Sequence, residues 1–224
     1  MYCSVDKIPF SVYDFFAYLS SGATVLAAFD YVSGLHILER TQVGVALGVL
    51  LVVLSYVVGQ IVAHFSSFIL EQLVVSRILT RPTDLLLAEG KTKGLRPLVF
   101  PNYFRPLPKE TQIRVWDAAD RRKGPAKGEG LFLHAYAVVT RNDKAQARLD
   151  EFRNQYGFAR NMAFALLFDA IVIAVQRVSN PTLQWHWALA AAFCGIALFY
   201  RYLKFFRQYS YELLLRYAEL PLGG

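Results

Sequence analysis

Charged residues are scarce in this sequence. Asp, Glu, Lys and Arg make up 18% of 224 residues, against roughly 25% in soluble domains. That deficit argues against an ordinary water-soluble domain. Cysteine is nearly absent: Cys3 and Cys194 are the two present, and the count excludes a disulfide framework or a four-thiolate zinc site. Cys194 lies in an apolar run and is expected to pack as a small apolar side chain. Catalytic signatures are missing too: there is no G-x-S-x-G, H-E-x-x-H or C-x-x-C. "GKT" at Gly90 to Thr92 resembles the end of a phosphate loop, but Leu85 stands where that pattern needs its first glycine. It is expected to be a solvated turn. The histidines His36, His64, His134 and His186 are scattered with no i, i+4 pair, so individually hydrogen-bonded rings are expected rather than a zinc site. No metal, cofactor or enzymatic activity is expected.

What the chain does have is long apolar runs. Hydrophobic residues make up 55% and aromatic residues 15%. Thr41 to Leu70 and Val178 to Tyr200 contain no Lys, Arg, Asp or Glu, and about 20 apolar residues suffice for one helical crossing of a bilayer. Two shorter runs join them, Phe15 to Phe29 and Asn161 to Gln176, the second with Asp169 inside it. The reading adopted is an all-α protein with four transmembrane helices; a buried or re-entrant helix is the alternative for the two short runs. The N-terminus has no basic n-region or A-x-A-like site, and Tyr2 stands where myristoylation needs glycine, so the first helix is expected to persist in the mature protein.

Charge distribution sets an expected orientation. Residues 71–160 hold seventeen Lys or Arg and ten Asp or Glu, a net charge of +7. The two short connections carry one basic residue each, Arg40 and Arg177, while Arg201, Lys204, Arg207 and Arg216 follow the last run. The positive-inside rule then places both termini and the central segment in the cytoplasm of a bacterial inner membrane, with Trp185 and Trp187 near the outer headgroups. The basic balance reads as topology and attraction to anionic lipid. Direct nucleic-acid binding is not expected, since no such module is visible.

The expected organisation is an N-terminal pair (residues 1–80, spans about 12–32 and 43–68, the second helix extended to 80), a basic cytoplasmic domain (81–160), a C-terminal pair (161–200, spans about 161–177 and 181–200) and a cytoplasmic amphipathic helix (201–224). Beyond the second span, Leu70, Leu73, Val74, Ile78 and Leu79 keep α-helical spacing until Arg81-Pro82 stops the run. A helix from Thr41 to Thr80 would be ~60 Å long. Asn142 caps the approach to the third span, whose apolar stripe holds Leu149, Phe152 and Tyr156. Tyr202, Phe205, Phe206, Tyr209, Leu213 and Tyr217 form another stripe. These stripes are expected to meet one another or a neighbouring copy. Gly44 and Gly48 form G-x-x-x-G, with Gly59 further along and Gly195 in the last span; with Ser20 to Ala23 they are candidate helix contacts.

Asp169 is the main chemical feature. A carboxylate near a helix centre in lipid costs roughly 2.5–3.5 kcal/mol on insertion scales. It lies ~13 Å in from Arg160, and His64 lies ~9 Å in from Leu70, so the two are expected to meet if their helices are neighbours. Asp169, His64 and Asn161 are the candidate polar lining of an ion or proton path; an interhelical hydrogen bond that fixes assembly is the alternative. Arg160 beside Asn161 is expected to snorkel to the headgroups. Arg121, Arg122, Lys123 and Lys127 are candidate contacts for an anionic ligand such as a cyclic nucleotide or for a partner protein, or else a solvated loop.

The stretches "PFSVYDFFAYLSSG", "LDEFRNQYGFARNMAF" and "YRYLKFFRQYSYELLLRYAEL" resemble parts of bacterial multi-span membrane proteins similar to the membrane effectors of anti-phage defence systems. The resemblance covers about a quarter of the chain and carries no catalytic motif, so no residue role transfers with it. It implies a homo-oligomer, set here at a tetramer, that senses a cytoplasmic signal and disturbs the inner membrane. The competing expectation is a membrane anchor or scaffold that recruits a cytoplasmic partner protein. A lipid-handling enzyme would need acids or histidines clustered at one membrane face, and the sequence shows none.

Overall fold

A computed structural model of the chain describes residues 12–37, 44–88 and 95–221. Cys3, Arg40, Thr41 and the Gly90 to Thr92 turn lie outside the described residues. Secondary structure among the described residues is helical, with no strand. The elements are α1 (Val12–Ser33), α2 (Val45–Ser66), a π-helix (Ser67–Leu79), α3 (Pro82–Leu86), α4 (Leu95–Val99), α5 (Lys109–Arg121), α6 (Gly128–Val139), α7 (Asp143–Ser179) and α8 (Trp185–Glu219). Four stretches are long and apolar enough to cross a membrane: Phe15–Ser33, Val45–Leu86, Asp143–Ser179 and Trp185–Glu219. The 22 residues of α1 reach ~33 Å at helical rise, against a hydrocarbon core near 30 Å.

The chain divides into two compact units, one of the described residues up to Glu71 with Gly157–Tyr202, the other of Gln72–Tyr156 with residues from Leu203 onward. In the first unit α1 and α2 run antiparallel with their backbones in contact. A Cβ at Gly22 would lie 1.8 Å from the Ser55 carbonyl oxygen, and one at Gly59 would lie 1.9 Å from the Tyr18 carbonyl oxygen. The smallest residue is the one that allows this approach. Phe15 stacks on Tyr56 beside the crossing, with ring centroids 5.4 Å apart. Ser21 and Thr24 satisfy their hydroxyls within their own helix, donating to the carbonyls of Ala17 (3.0 Å) and Ser20 (2.8 Å), as hydrocarbon requires. At one end the Tyr31 hydroxyl accepts from the Gln184 N–H (2.9 Å), tying α1 to the loop before α8. At the other, Tyr13 packs edge-on against Phe158, with centroids 6.1 Å apart. Large apolar side chains are exposed on this unit, Val45 at 85% and Phe193 at 75%. Such faces call for hydrocarbon or another protein surface around them.

The π-helix departs from the straight α-helix expected through residue 80. Its i→i+5 bonding widens each turn, and the buried positions advance by four, five and four: Ser66, Leu70, Val75, Leu79. Val75 is therefore fully buried while Ile78, part of the expected stripe, is half exposed. Thr80 ends the run with φ 71°, and its carbonyl accepts from the Tyr103 hydroxyl at 2.9 Å. Burial pushes that hydroxyl well above the usual tyrosine range, so it stays a donor.

The second unit closes its own core. Val115, Leu131, Ala135, Val139, Leu149, Leu213 and Leu214 are all buried in one cluster. The stripes of α7 and α8 thus meet each other, together with α5 and α6. Gln112 donates to the Leu107 (3.0 Å) and Leu86 (3.3 Å) carbonyls, joining α5 to the chain after α3. Asn142 Oδ1 accepts from the Ala145 N–H (3.2 Å) as the cap of α7. Buried Glu212 takes Arg148 (3.4 Å) and Arg216 (3.0 Å).

Gly44 and Gly48, by contrast with Gly59, have open space where a Cβ would point. Gly59→Ala forces two backbones apart and costs about 3 kcal/mol, lowering the thermal unfolding midpoint in detergent by about 10 °C. Gly48→Ala leaves the midpoint unchanged or raises it slightly, because glycine inside a helix is about 0.5–1 kcal/mol worse than alanine. Equal effects of the two substitutions would contradict the crossing.

Candidate functional site

Asp169 sits on α7 within the first unit, 3% exposed. It lines a cleft of about 330 Å³ together with Ala28 and Tyr31 of α1, Leu166 and Ile173 of α7, and Trp187, Ala190, Ala191 and Cys194 of α8. The spacings explain the wall. Residues 187, 190, 191 and 194 share one helical face, as do 166, 169 and 173. The three alanines leave the room. Among the described residues, the Asp169 carboxylate has no hydrogen-bond or ion-pair partner.

His64 does not join it. Its side chain is exposed on α2 and packs edge-on against Phe65, with centroids 5.9 Å apart. The reason is helical phase: Ser66, two residues or ~200° further round, is the side chain that α2 buries against α7. The Ser66 hydroxyl donates to Asn161 Oδ1 at 2.7 Å. Arg160 Nη2 also donates to Asn161 Oδ1 at 3.3 Å, and its Nη1 meets Glu71 Oε2 at 2.5 Å. Glu71 is five residues after Ser66, and a chain entering i→i+5 winding brings those two positions onto one side. Arg160 is therefore paired with a carboxylate on the neighbouring helix instead of reaching out to headgroups. Asn161 belongs to this tie between helices and does not line the Asp169 cleft.

Cys194, expected as a small apolar side chain in the last span, is exposed and stands on the cleft wall. Gly195 does pack closely, with a Cβ there 2.8 Å from Leu167 Cγ. A second, larger cavity of about 630 Å³ lies among α1, α2, α7 and the start of the π-helix, and every side chain lining it is apolar. The basic candidates in the second unit separate. Arg122 is committed to the fold: it donates to the Ala118 and Leu220 carbonyls and lies 4.8 Å over the Tyr217 ring. Arg121, Lys123 and Lys127 are exposed. Among the described residues no three His, Cys, Asp or Glu side chains group as metal ligands.

No family model matches the chain, and no curated protein or solved structure is significantly similar to it. Its class rests on its own features. Four helices of membrane-crossing length and apolarity make it an all-α, multi-span membrane protein.

The Arg160–Glu71 pair is mostly shielded, with side-chain exposures of 15% and 31%. A double-mutant cycle with Arg160→Met and Glu71→Gln, read by thermal unfolding in detergent, is expected to give a coupling on the order of 1 kcal/mol. Strict additivity would show that the pair does not hold the two helices together.

Proposed function

We propose that the chain is a homo-oligomeric protein of a bacterial inner membrane, an effector that passes cations when a signal reaches its basic cytoplasmic unit. The observation that carries this reading is Asp169, a buried carboxylate in the membrane-crossing unit, facing a cleft and without a described side-chain partner. An ionisable residue inside a membrane span is by default a candidate for an ion or proton path, and here no interhelical partner competes for it among the described residues. Negative side chains in a lining favour cations. One carboxylate per chain makes a ring only when several copies assemble, a tetramer in the simplest arrangement.

The charge pattern supports cytoplasmic termini and a cytoplasmic second unit. The exposed cations Arg121, Lys123 and Lys127 are then positioned to receive an anionic ligand, such as a cyclic nucleotide, or a partner protein. Arg122 drops out of that set because Leu220 and Tyr217 engage it. The resemblance to membrane effectors of anti-phage defence supports the same direction. A second reading, a membrane anchor without a pore, is favoured by the separate closed core of the second unit and by the wholly apolar second cavity.

Purified protein in liposomes carrying a K⁺ gradient separates the two. Wild type is expected to dissipate the gradient, and Asp169→Asn to slow dissipation at least tenfold while cross-linked oligomers keep the same size. Equal flux from both proteins would refute the lining role, and no flux from either would favour the anchor.

A further inference from the structure

We propose that the cleft between α1, α7 and α8 binds a small hydrophobic organic cation, its charge against Asp169 and its apolar substituents between Tyr31 and Trp187. The cleft, at about 330 Å³, lies at the low end of the size range for ligand pockets, roughly 300–1,000 Å³. Its floor and walls differ sharply in character. Among the described residues Asp169 is the one carboxylate lining it, and it is almost fully buried. The remaining surface is aliphatic, aromatic or sulfur-bearing.

That combination selects the ligand class. An inorganic cation resident in one chain's cleft would have to exchange its hydration shell for one carboxylate, the Tyr31 hydroxyl already engaged by the Gln184 N–H, and hydrocarbon, too few oxygens to hold it there without the carboxylates of other copies. A neutral apolar molecule would leave the buried carboxylate uncompensated. An alkyl- or arylammonium ion meets both demands: its charge is spread under apolar substituents, and aromatic faces attract it. Tyr31 is held in place because its hydroxyl accepts from the Gln184 N–H at 2.9 Å. Trp187 is two residues from the start of α8 and Tyr31 two from the end of α1, so the aromatic rim stands at the edge of the span. Asp169 lies deeper along α7, ten residues or ~15 Å from its end at Ser179. The cleft thus offers aromatic rings at its mouth and a negative charge at its base.

Cys194 on the cleft wall allows a direct test that does not depend on conduction. In a Cys3→Ser variant, reconstituted in nanodiscs, Cys194 is the sole thiol. Its modification by a neutral methanethiosulfonate is timed alone, with benzyltrimethylammonium, and with neopentylbenzene, an uncharged molecule of the same shape. The cation is expected to slow the reaction at least fivefold, the uncharged molecule to have little effect, and the protection to vanish in Asp169→Asn. Equal protection by the two molecules would assign the cleft to apolar chains such as lipid tails and overturn the proposal. Absent protection, or protection that survives Asp169→Asn, would overturn it too. If Asp169→Asn does not fold, the wild-type comparison of charged and uncharged molecules decides alone. Protection without K⁺ flux would leave the cation site standing while the channel reading falls.

Discussion

Hydrocarbon supplies no hydrogen-bond partner, and the arrangement of the first unit follows from that constraint. Serine and threonine hydroxyls in α1 turn back onto their own helix. Polar groups of α2, the π-helix and α7 meet each other, Ser66 with Asn161 and Glu71 with Arg160. Gly22 and Gly59 bring two backbones into contact, so that α1 and α2 associate by close packing where no hydrophobic force distinguishes helix from lipid. Asp169 is the departure from this rule. A group that expensive, left facing a cleft, is where the proposed function is placed.

Much of this was legible from composition. The apolar runs located α1, α2, α7 and α8, and Asp169 stood out by its chemistry before any geometry was known. What failed was phase. Treating Ser67 to Leu79 as ordinary α-helix carried the wrong face forward, hid the pairing of Glu71 with Arg160, and left His64 as the nearest partner for Asp169. The G-x-x-x-G of Gly44 and Gly48 was visible as a motif, but spacing does not say which glycine meets a backbone; Gly59 does, against Gly22's helix. The cleft itself could have been read. Residues 187, 190, 191 and 194 recur at helical spacing, and a stripe of that kind opposite a buried acid is a pocket wall. The missing ingredient was that α1, α7 and α8 are neighbours, a tertiary fact that no periodicity contains.

The two units have different kinds of stability. The first exposes its apolar side chains and relies on a surrounding medium. The second encloses Val115, Leu131 and Leu213 with neighbours from α5, α6, α7 and α8, and it fixes the end of α8 through Arg122 and Leu220. Three helical stretches pass from one unit to the other: the π-helix near Glu71, α7 near Gly157 and α8 near Tyr202. One of them is a π-helix of 13 residues, a form that usually occurs as single turns at functional positions.

The claim beneath all of this is that the first unit is immersed in hydrocarbon. Tryptophan emission from the protein in vesicles of phospholipid brominated on the upper acyl carbons tests it most directly, because bromine quenches at contact. The three tryptophans divide between the units: Trp185 and Trp187 in the first, Trp116 in the second. Trp116→Phe, which retains Trp185 and Trp187, is expected to lose most of its emission in brominated vesicles, while Trp185→Phe/Trp187→Phe stays bright. Undiminished emission from Trp185 and Trp187 would contradict the account.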